Sequence, residues 1–266
     1  MDHPIRFQTF LAPSVRPVYQ AIADRAGARL GRPAVLETGA DFAAFARGEA
    51  DFGFICGLPY VQLARSRPAP VIPLAAPVLR GERYAGRAVY FSDVIVRHDS
   101  PITTFAGLRG RSWAYNDLDS HSGYNLARSH LARLGETRGF FGAVIEAGFH
   151  QRAIHMVADG EVDAAAIDSQ VLAIELRDRP GLAARLRVID TLGPSTIQPL
   201  VAAAHVPAAT RAAVRDVALS LAGDPSARAL LDAACIDRFV PIHDEDYDDI
   251  RAMLAACEDA GFLTLA

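Results

Sequence analysis

Ala34-Val35-Leu36-Glu37-Thr38-Gly39 leads through a short helical stretch to Gly48-Glu49-Ala50-Asp51 and an apolar run ending at Ile55. Ala143-Val144-Ile145-Glu146-Ala147-Gly148 leads through a somewhat longer one to Gly160-Glu161-Val162-Asp163 and an apolar run ending at Ile167. The two stretches match at both ends and in the same order, so they read as one strand–helix–strand unit used twice. The element before each unit corresponds too. Ile5, Phe7 and Thr9 alternate with Arg6 and Gln8 as a strand, and Ser14 is placed to cap the helix that follows, with Pro17 in its first turn. Ser112-Trp113-Ala114-Tyr115 likewise leads to a helix opening near Ser122, with Tyr124, Ala127, Leu131 and Leu134 as its apolar stripe.

The repeat predicts an α/β protein of two lobes, each a mostly parallel sheet flanked by helices on both faces. Ligands of such sheets bind outside the carboxyl ends of the strands, which points to the loops after Leu11, Cys56, Tyr115 and Ile167 and to a cleft between lobes. Val89–Val96 and Leu200–Ala204 read as crossings between the lobes. Helices around 208–222, 225–235 and 244–260 then return to the first lobe. The expected division is therefore 1–90 with 200–266 for lobe 1, and 91–199 for lobe 2.

Of the 266 residues 51% are hydrophobic and 22% charged, enough apolar surface for a real core, and the formal net charge is -4. That balance argues against a nucleic-acid binder, which would carry a basic face. The sequence contains no lysine, so a phosphate loop that depends on one is excluded. No GxGxxG or Walker pattern is present, and no cofactor is expected. Cys56, Cys235 and Cys257 fit neither a disulfide framework nor a zinc site; they read as small buried hydrophobes, with a Cys235–Cys257 bridge as the lesser alternative. No metal site is expected: the acidic cluster Asp244, Glu245, Asp246, Asp248 and Asp249 lacks the glycine and distal glutamate of a calcium loop and reads as a solvated helix start. No apolar run is long enough for a membrane span. Met1-Asp2-His3-Pro4 carries no signal-peptide pattern, which leaves a cytoplasmic chain or one whose leader has been removed.

The stretch Asn116-Asp117-Leu118-Asp119-Ser120-His121-Ser122-Gly123 follows a strand and opens a helix. The first turn of a helix has unpaired N–H groups and partial positive charge, and hydroxyls beside a glycine let a small oxyanion approach them. A plain serine N-cap is the equal alternative from local sequence. His150 opens the helix of the second repeat and can donate to an anion or cap the surface. Asp168 ends a strand and can accept a proton from the ligand or cap a turn. Tyr60 and Tyr90 are candidate hydroxyl donors, or half-buried packing. Ser120, His150 and Asp168 make no convincing catalytic triad, there being no nucleophile elbow, and no catalytic residue is assigned.

These residues resemble a family. Tyr90-Phe91-Ser92-Asp93-Val94-Ile95-Val96-Arg97, Asp99-Ser100-Pro101-Ile102, Phe105-Ala106-Gly107-Leu108-Arg109-Gly110, Ser120-His121-Ser122-Gly123-Tyr124, His150 and the run Gly160–Ser169, with Gly57-Leu58-Pro59-Tyr60 before them, are similar, in the right order along the chain, to the phosphonate/phosphite/phosphate substrate-binding proteins of ABC transporters, the PhnD-like proteins. The resemblance spans roughly residues 5–205. It implies a type II periplasmic-binding-protein fold whose lobes close on the ligand, an extracytoplasmic setting and an ABC permease as partner. It also implies ligand contacts from Tyr60, Tyr90, Ser120, His121, Ser122, Gly123 and His150, with Asp168 lining the site. The chain departs from the family pattern at His121, where threonine is usual, and at Ser195-Thr196-Ile197-Gln198-Pro199. With an ordinary pKa of about 6.5, His121 is expected to strengthen anion binding at lower pH. The expected function is a non-enzymatic receptor for a small oxyanion; the alternative is a cytosolic ligand sensor or enzyme on the same fold.

Overall fold

The computed structural model describes residues 3–265. Met1 and Asp2, part of the N-terminus read above for an export signal, lie outside the described residues. The chain forms two compact units: one holds the chain up to Val89 with Thr196–Asp248, the other Tyr90–Ser195 with the chain from Asp249 onward.

The first unit opens with β1 (Ile5–Thr9), α1 (Arg16–Leu30), β2 (Ala34–Thr38), α2 (Phe42–Ala46), β3 (Phe52–Phe54), α3 (Gly57–Leu63) and β4 (Val71–Leu79). The second comprises β5 (Val89–Arg97), β6 (Ser112–Tyr115), α4 (Leu126–Arg133), β7 (Ala143–Glu146), α5 (His150–Asp159), β8 (Ala164–Asp168), α6 (Ser169–Asp178), α7 (Pro180–Ala183) and β9 (Leu186–Thr196). The chain then adds β10 (Leu200–Ala203), α8 (Ala208–Ser220), α9 (Arg228–Ala233) and β11 (Ile236–Pro241) to the first unit, and α10 (Asp248–Asp259) to the second.

The internal repeat has a physical basis. In each unit three strands pair in parallel in the same order, β2-β1-β3 and β7-β6-β8. Both repeat helices end on a glycine with positive φ, Gly48 at 87° and Gly160 at 77°. The next N–H reaches back five residues, Glu49 to the Ala44 carbonyl and Glu161 to the Met156 carbonyl, closing the helix end. The repeated aspartate then accepts a backbone N–H of the neighbouring parallel strand: Asp51 from Arg6 and Asp163 from Ser112, each at 2.8 Å. Gly-Glu-x-Asp is thus a helix stop joined to a strand clamp.

Beyond this parallel core both sheets are mixed, which corrects the expectation of mostly parallel sheets. In the first unit β4, β10 and β11 join antiparallel. In the second, β5 runs antiparallel to β8, and β9 lies beside β5. Leu200–Ala204, expected as a crossing, lies within the first sheet: β10 is buried and paired on both sides, to β3 and β4, and the change of unit falls earlier, after Ser195. The C-terminal helix was expected in the first lobe and belongs to the second unit. Met253, Phe262 and Leu265 pack into the core around Trp113 and Leu131, and Arg128 Nη1 donates to the Leu263 carbonyl at 2.7 Å. Ser14 does not cap α1: a 3-10 turn, Pro13–Val15, precedes that helix, which has Val15 at its N-cap and no side-chain cap.

Each core is apolar and partly aromatic. Phe7 stacks on Phe52 with ring centroids 4.9 Å apart, and Tyr19 on Phe54 at 3.9 Å. In the second unit Trp113 stacks on Phe141 at 4.6 Å on one face of the sheet, and Ala153, Ile154 and Val157 of α5 pack with Ile95 and Ile167 in a separate cluster. None of the three cysteines is in a disulfide; Cys257 is buried, and Cys56 and Cys235 are half-buried. No helix among the described residues is long and apolar enough to cross a membrane.

Candidate functional site

The segment after β6 does not start as an ordinary α-helix. His121–Asn125 forms a π-turn that runs into α4. The Asn125 N–H reaches the Ser120 carbonyl at 3.1 Å, and the Leu126 N–H reaches that of His121. Such a turn widens the backbone ring by one residue relative to the α-helix and recurs at functional sites. Ser120 caps it, its Oγ accepting the Gly123 N–H at 3.0 Å. Ser120 therefore fulfils the N-cap reading, and its acceptor side faces the backbone. Ser92 Oγ on β5 donates to the Ser122 carbonyl at 2.8 Å and fixes the turn against the sheet.

Ser122 and His150 meet. Ser122 Oγ lies 3.0 Å from His150 Nε2, joining the π-turn to the first residue of α5. His150 is 8% exposed, and its Nδ1 has no hydrogen-bond partner among the described residues. Burial pushes its pKa down to about 4, so the ring is neutral at neutral pH. Asn116, at the end of β6, also has an unpartnered buried Oδ1. Gly123 lets these groups approach closely: a Cβ at that position would stand 1.9 Å from Asn116 Oδ1 and 3.2 Å from His150 Cε1, so the Asn116 side chain would have to move. The result is a buried polar corner of hydroxyl, imidazole and amide at two helix starts, with no arginine among these contacts.

His121 faces the interior instead. Its ring is fully buried, with Nδ1 3.2 Å from Asn125 Nδ2 and Nε2 2.7 Å from Ser195 Oγ. Arg128 Nη2 donates to Asn125 Oδ1 at 2.8 Å, which orients that amide with its NH2 toward the histidine. His121 Nδ1 therefore accepts, and Nε2–H donates to Ser195. Ser195 Oγ in turn donates to Asp249 Oδ2 at 3.1 Å. Burial pushes the His121 pKa down to about 3. The expected gain in binding at lower pH through His121 is therefore corrected: the ring stays neutral across the physiological range because protonation would charge a group with no access to water.

Asp168, also buried, caps α6; its Oδ1 accepts the N–H of Gln170 at 2.7 Å and of Val171 at 3.2 Å. Tyr90 is fully buried at the start of β5, its ring centroid 6.4 Å from that of His121. Tyr60 belongs to the first unit, where its hydroxyl donates to Asp244 Oδ1 at 2.5 Å. The acidic cluster is a helix start with Asp244, Glu245, Asp246 and Asp248 exposed, as read; Asp244 also accepts from Tyr60, and the half-buried Asp249 accepts from Ser195. The structure links Ser120, His121, Ser122, Gly123 and His150 through one turn and its contacts. It adds Ser92, Asn116, Asn125, Ser195 and Asp249, which sequence reading did not assign. Asn116 stood in the quoted motif, Ser195 in the departing segment, Ser92 in the stretch that carries the resemblance and Asp249 in the acidic cluster; nothing in the sequence marked Asn125. Among the described residues no group of three or more His, Cys, Asp or Glu is gathered to hold a metal ion.

A family model described as ABC transporter, phosphonate, periplasmic substrate-binding protein matches residues 9–247. Among solved structures, a binding-protein component of an ABC phosphonate transporter from Pseudomonas aeruginosa is similar with a TM-score of 0.82 at 17% identity, covering 98% of this chain and 88% of that one. PhnD1 from Prochlorococcus marinus, in complex with methylphosphonate, also gives 0.82 at 17% identity, covering 96% of this chain and 98% of its own. XAC2383 from Xanthomonas citri, bound to ATP, gives 0.72 at 17% identity, covering 98% of both chains. At these identities the structural likeness is one of fold, a two-lobed periplasmic binding protein.

Proposed function

The chain belongs to the periplasmic phosphonate substrate-binding proteins of ABC transporters, and on that premise we propose that Ser122, Gly123 and His150 form the grip on the oxyanion of its ligand. The family is a substrate-binding component of transporters, not a family of enzymes. In this reading the chain binds its ligand, releases it unchanged to an ABC permease, and works outside the cytoplasm by closing its two lobes on the solute.

The Ser122–His150 pair carries the proposal. A buried polar group left without a hydrogen bond costs about 1–3 kcal/mol, and His150 Nδ1 is in that state. An oxyanion seated at this corner draws on N–H groups of two helix starts and on one donor of the Ser122–His150 pair: Nδ1–H when Nε2 accepts the Ser122 hydroxyl, or the Ser122 hydroxyl when Nε2–H donates to its Oγ. All of these donors are neutral, and with no lysine in the chain the dipoles of fixed N–H and O–H groups replace a formal cation. Such a grip suits the tetrahedral face of a phosphonate, phosphite or phosphate.

The other expected contacts take supporting places. Ser120 shapes the turn as its cap, and Asp168 holds the start of α6. Tyr90 packs beside the His121 ring, and Tyr60 directs its hydroxyl to Asp244.

Methylphosphonate binding to Ser122→Ala, followed by titration calorimetry, tests the assignment. A charge-assisted hydrogen bond is worth about 1.5–3 kcal/mol, so the variant is expected to lose at least about tenfold in affinity. An unchanged dissociation constant would reject the grip.

A further inference from the structure

The π-turn has a second set of contacts, made in the interior of the second unit by the fully buried His121 and Asn125. Behind the Ser122–His150 corner, five side chains of the second unit form one directed hydrogen-bond relay: Arg128, Asn125, His121, Ser195 and Asp249. Its sense is fixed throughout. Arg128 only donates, so Asn125 Oδ1 accepts and its Nδ2 donates onward; His121 passes a proton donor to Ser195, and Ser195 passes its own to the Asp249 carboxylate. A cation closes one end and an anion the other, so every dipole in between points the same way and each bond polarises the next. The two far members also have a particular place in the chain. Ser195 directly precedes Thr196, where the chain enters the first unit, and Asp249 directly follows Asp248, where it leaves it again.

We propose that His121 is a positioning residue for the anion site: it fixes the π-turn that presents Ser122 to His150, and ties that turn to two of the points where the chain passes between units. This rests on the site assigned above. It gives a reason for a ring at position 121. Nδ1 and Nε2 lie on different sides of the imidazole and reach Asn125 and Ser195 together, a span that the single oxygen of a short hydroxyl side chain lacks. Gln carries an acceptor and a donor on one amide, so it is the conservative replacement; Leu fills similar space and keeps neither bond.

The test has two arms. The first needs no ligand: imidazole 15N NMR of the full chain, wild type against Ser195→Ala. Wild-type His121 is expected as the neutral Nε2–H tautomer between about pH 5 and pH 8. Ser195→Ala, two bonds removed from the site, is expected to shift the His150 signals as well as those of His121. His150 signals that stay at their wild-type positions overturn the proposal. The second arm is methylphosphonate affinity. His121→Leu is expected to lose at least about tenfold, with His121→Gln within about threefold of wild type. A folded His121→Leu that binds as tightly as wild type, or a His121→Gln that binds no better than His121→Leu, overturns it. If His121→Leu fails to fold, Ser195→Ala decides in both arms, with an expected loss of about threefold or more. A wild-type protein that binds no methylphosphonate counts against the functional reading alone, because the first arm is read without any anion.

Discussion

His121 and His150 are two neutral imidazoles held in a buried site, and that has a consequence in acid. Their pKa values, about 3 and about 4, lie below the ordinary value of 6.5. The unfolded chain therefore takes up protons that the folded chain refuses. The stability from each ring is whole above about pH 6.5 and falls by up to about 1.4 kcal/mol per pH unit below it, until the folded pKa is reached. Thermal melts between about pH 7.5 and pH 4.5 are expected to show this loss, with a shallower slope in His121→Gln. Equal slopes in the two proteins would mean that His121 titrates freely. At this scale the sequence marked the residues of the proposed anion corner better than those that support them. Ser122, Gly123 and His150 stood out because a hydroxyl, a glycine and an imidazole at helix starts are the chemistry of anion capture. The ring of His121 was placed on the wrong side because its direction depends on the π-register, and its partner Ser195 lies 74 residues away.

Among the elements, the repeated Gly-Glu-x-Asp was legible as a duplication before its purpose was. Its glycine stops the helix and its aspartate clamps the neighbouring parallel strand. Asp163 accepts both the N–H and the Oγ–H of Ser112 at 2.8 Å, and Ser112 Oγ accepts the Asp163 N–H at 2.9 Å. Asp163→Ala leaves that partly buried N–H and hydroxyl without an acceptor and is expected to cost about 1–3 kcal/mol in urea unfolding. A variant as stable as wild type would show that pairing of β6 with β8 fixes the strand without the clamp. The antiparallel strands were harder to foresee. β10 is a short run buried on both sides, a pattern shared by central strands and by buried segments of many kinds, and only its partners Phe54 and Ala75 give its direction. The C-terminal helix was misassigned because its apolar stripe fits any core; what selects the second unit is Arg128 reaching the Leu263 carbonyl and Leu265 N–H reaching the Tyr124 hydroxyl.

For the whole molecule, two units built on the same parallel strand core carry a chain of the phosphonate substrate-binding family. The two-lobed α/β class and the family were legible from the repeat and from the motifs in their order. The identity of the solute was not, because phosphonate, phosphite and phosphate differ away from the oxygens that the proposed corner would hold. Lobe closure on binding belongs to this account and is expected as a smaller radius of gyration in small-angle scattering when ligand is added. The most direct test of the central claim is a thermal-shift titration with methylphosphonate, phosphite and phosphate, with ATP and sulfate as comparisons. Ligand at about a hundred times its dissociation constant stabilises by about 2.7 kcal/mol, so at least one phosphorus oxyanion is expected to raise the melting temperature by about 5–10 °C, and Ser122→Ala to lose most of that rise. A melting temperature that none of the three moves, or that sulfate moves as far, would contradict the account.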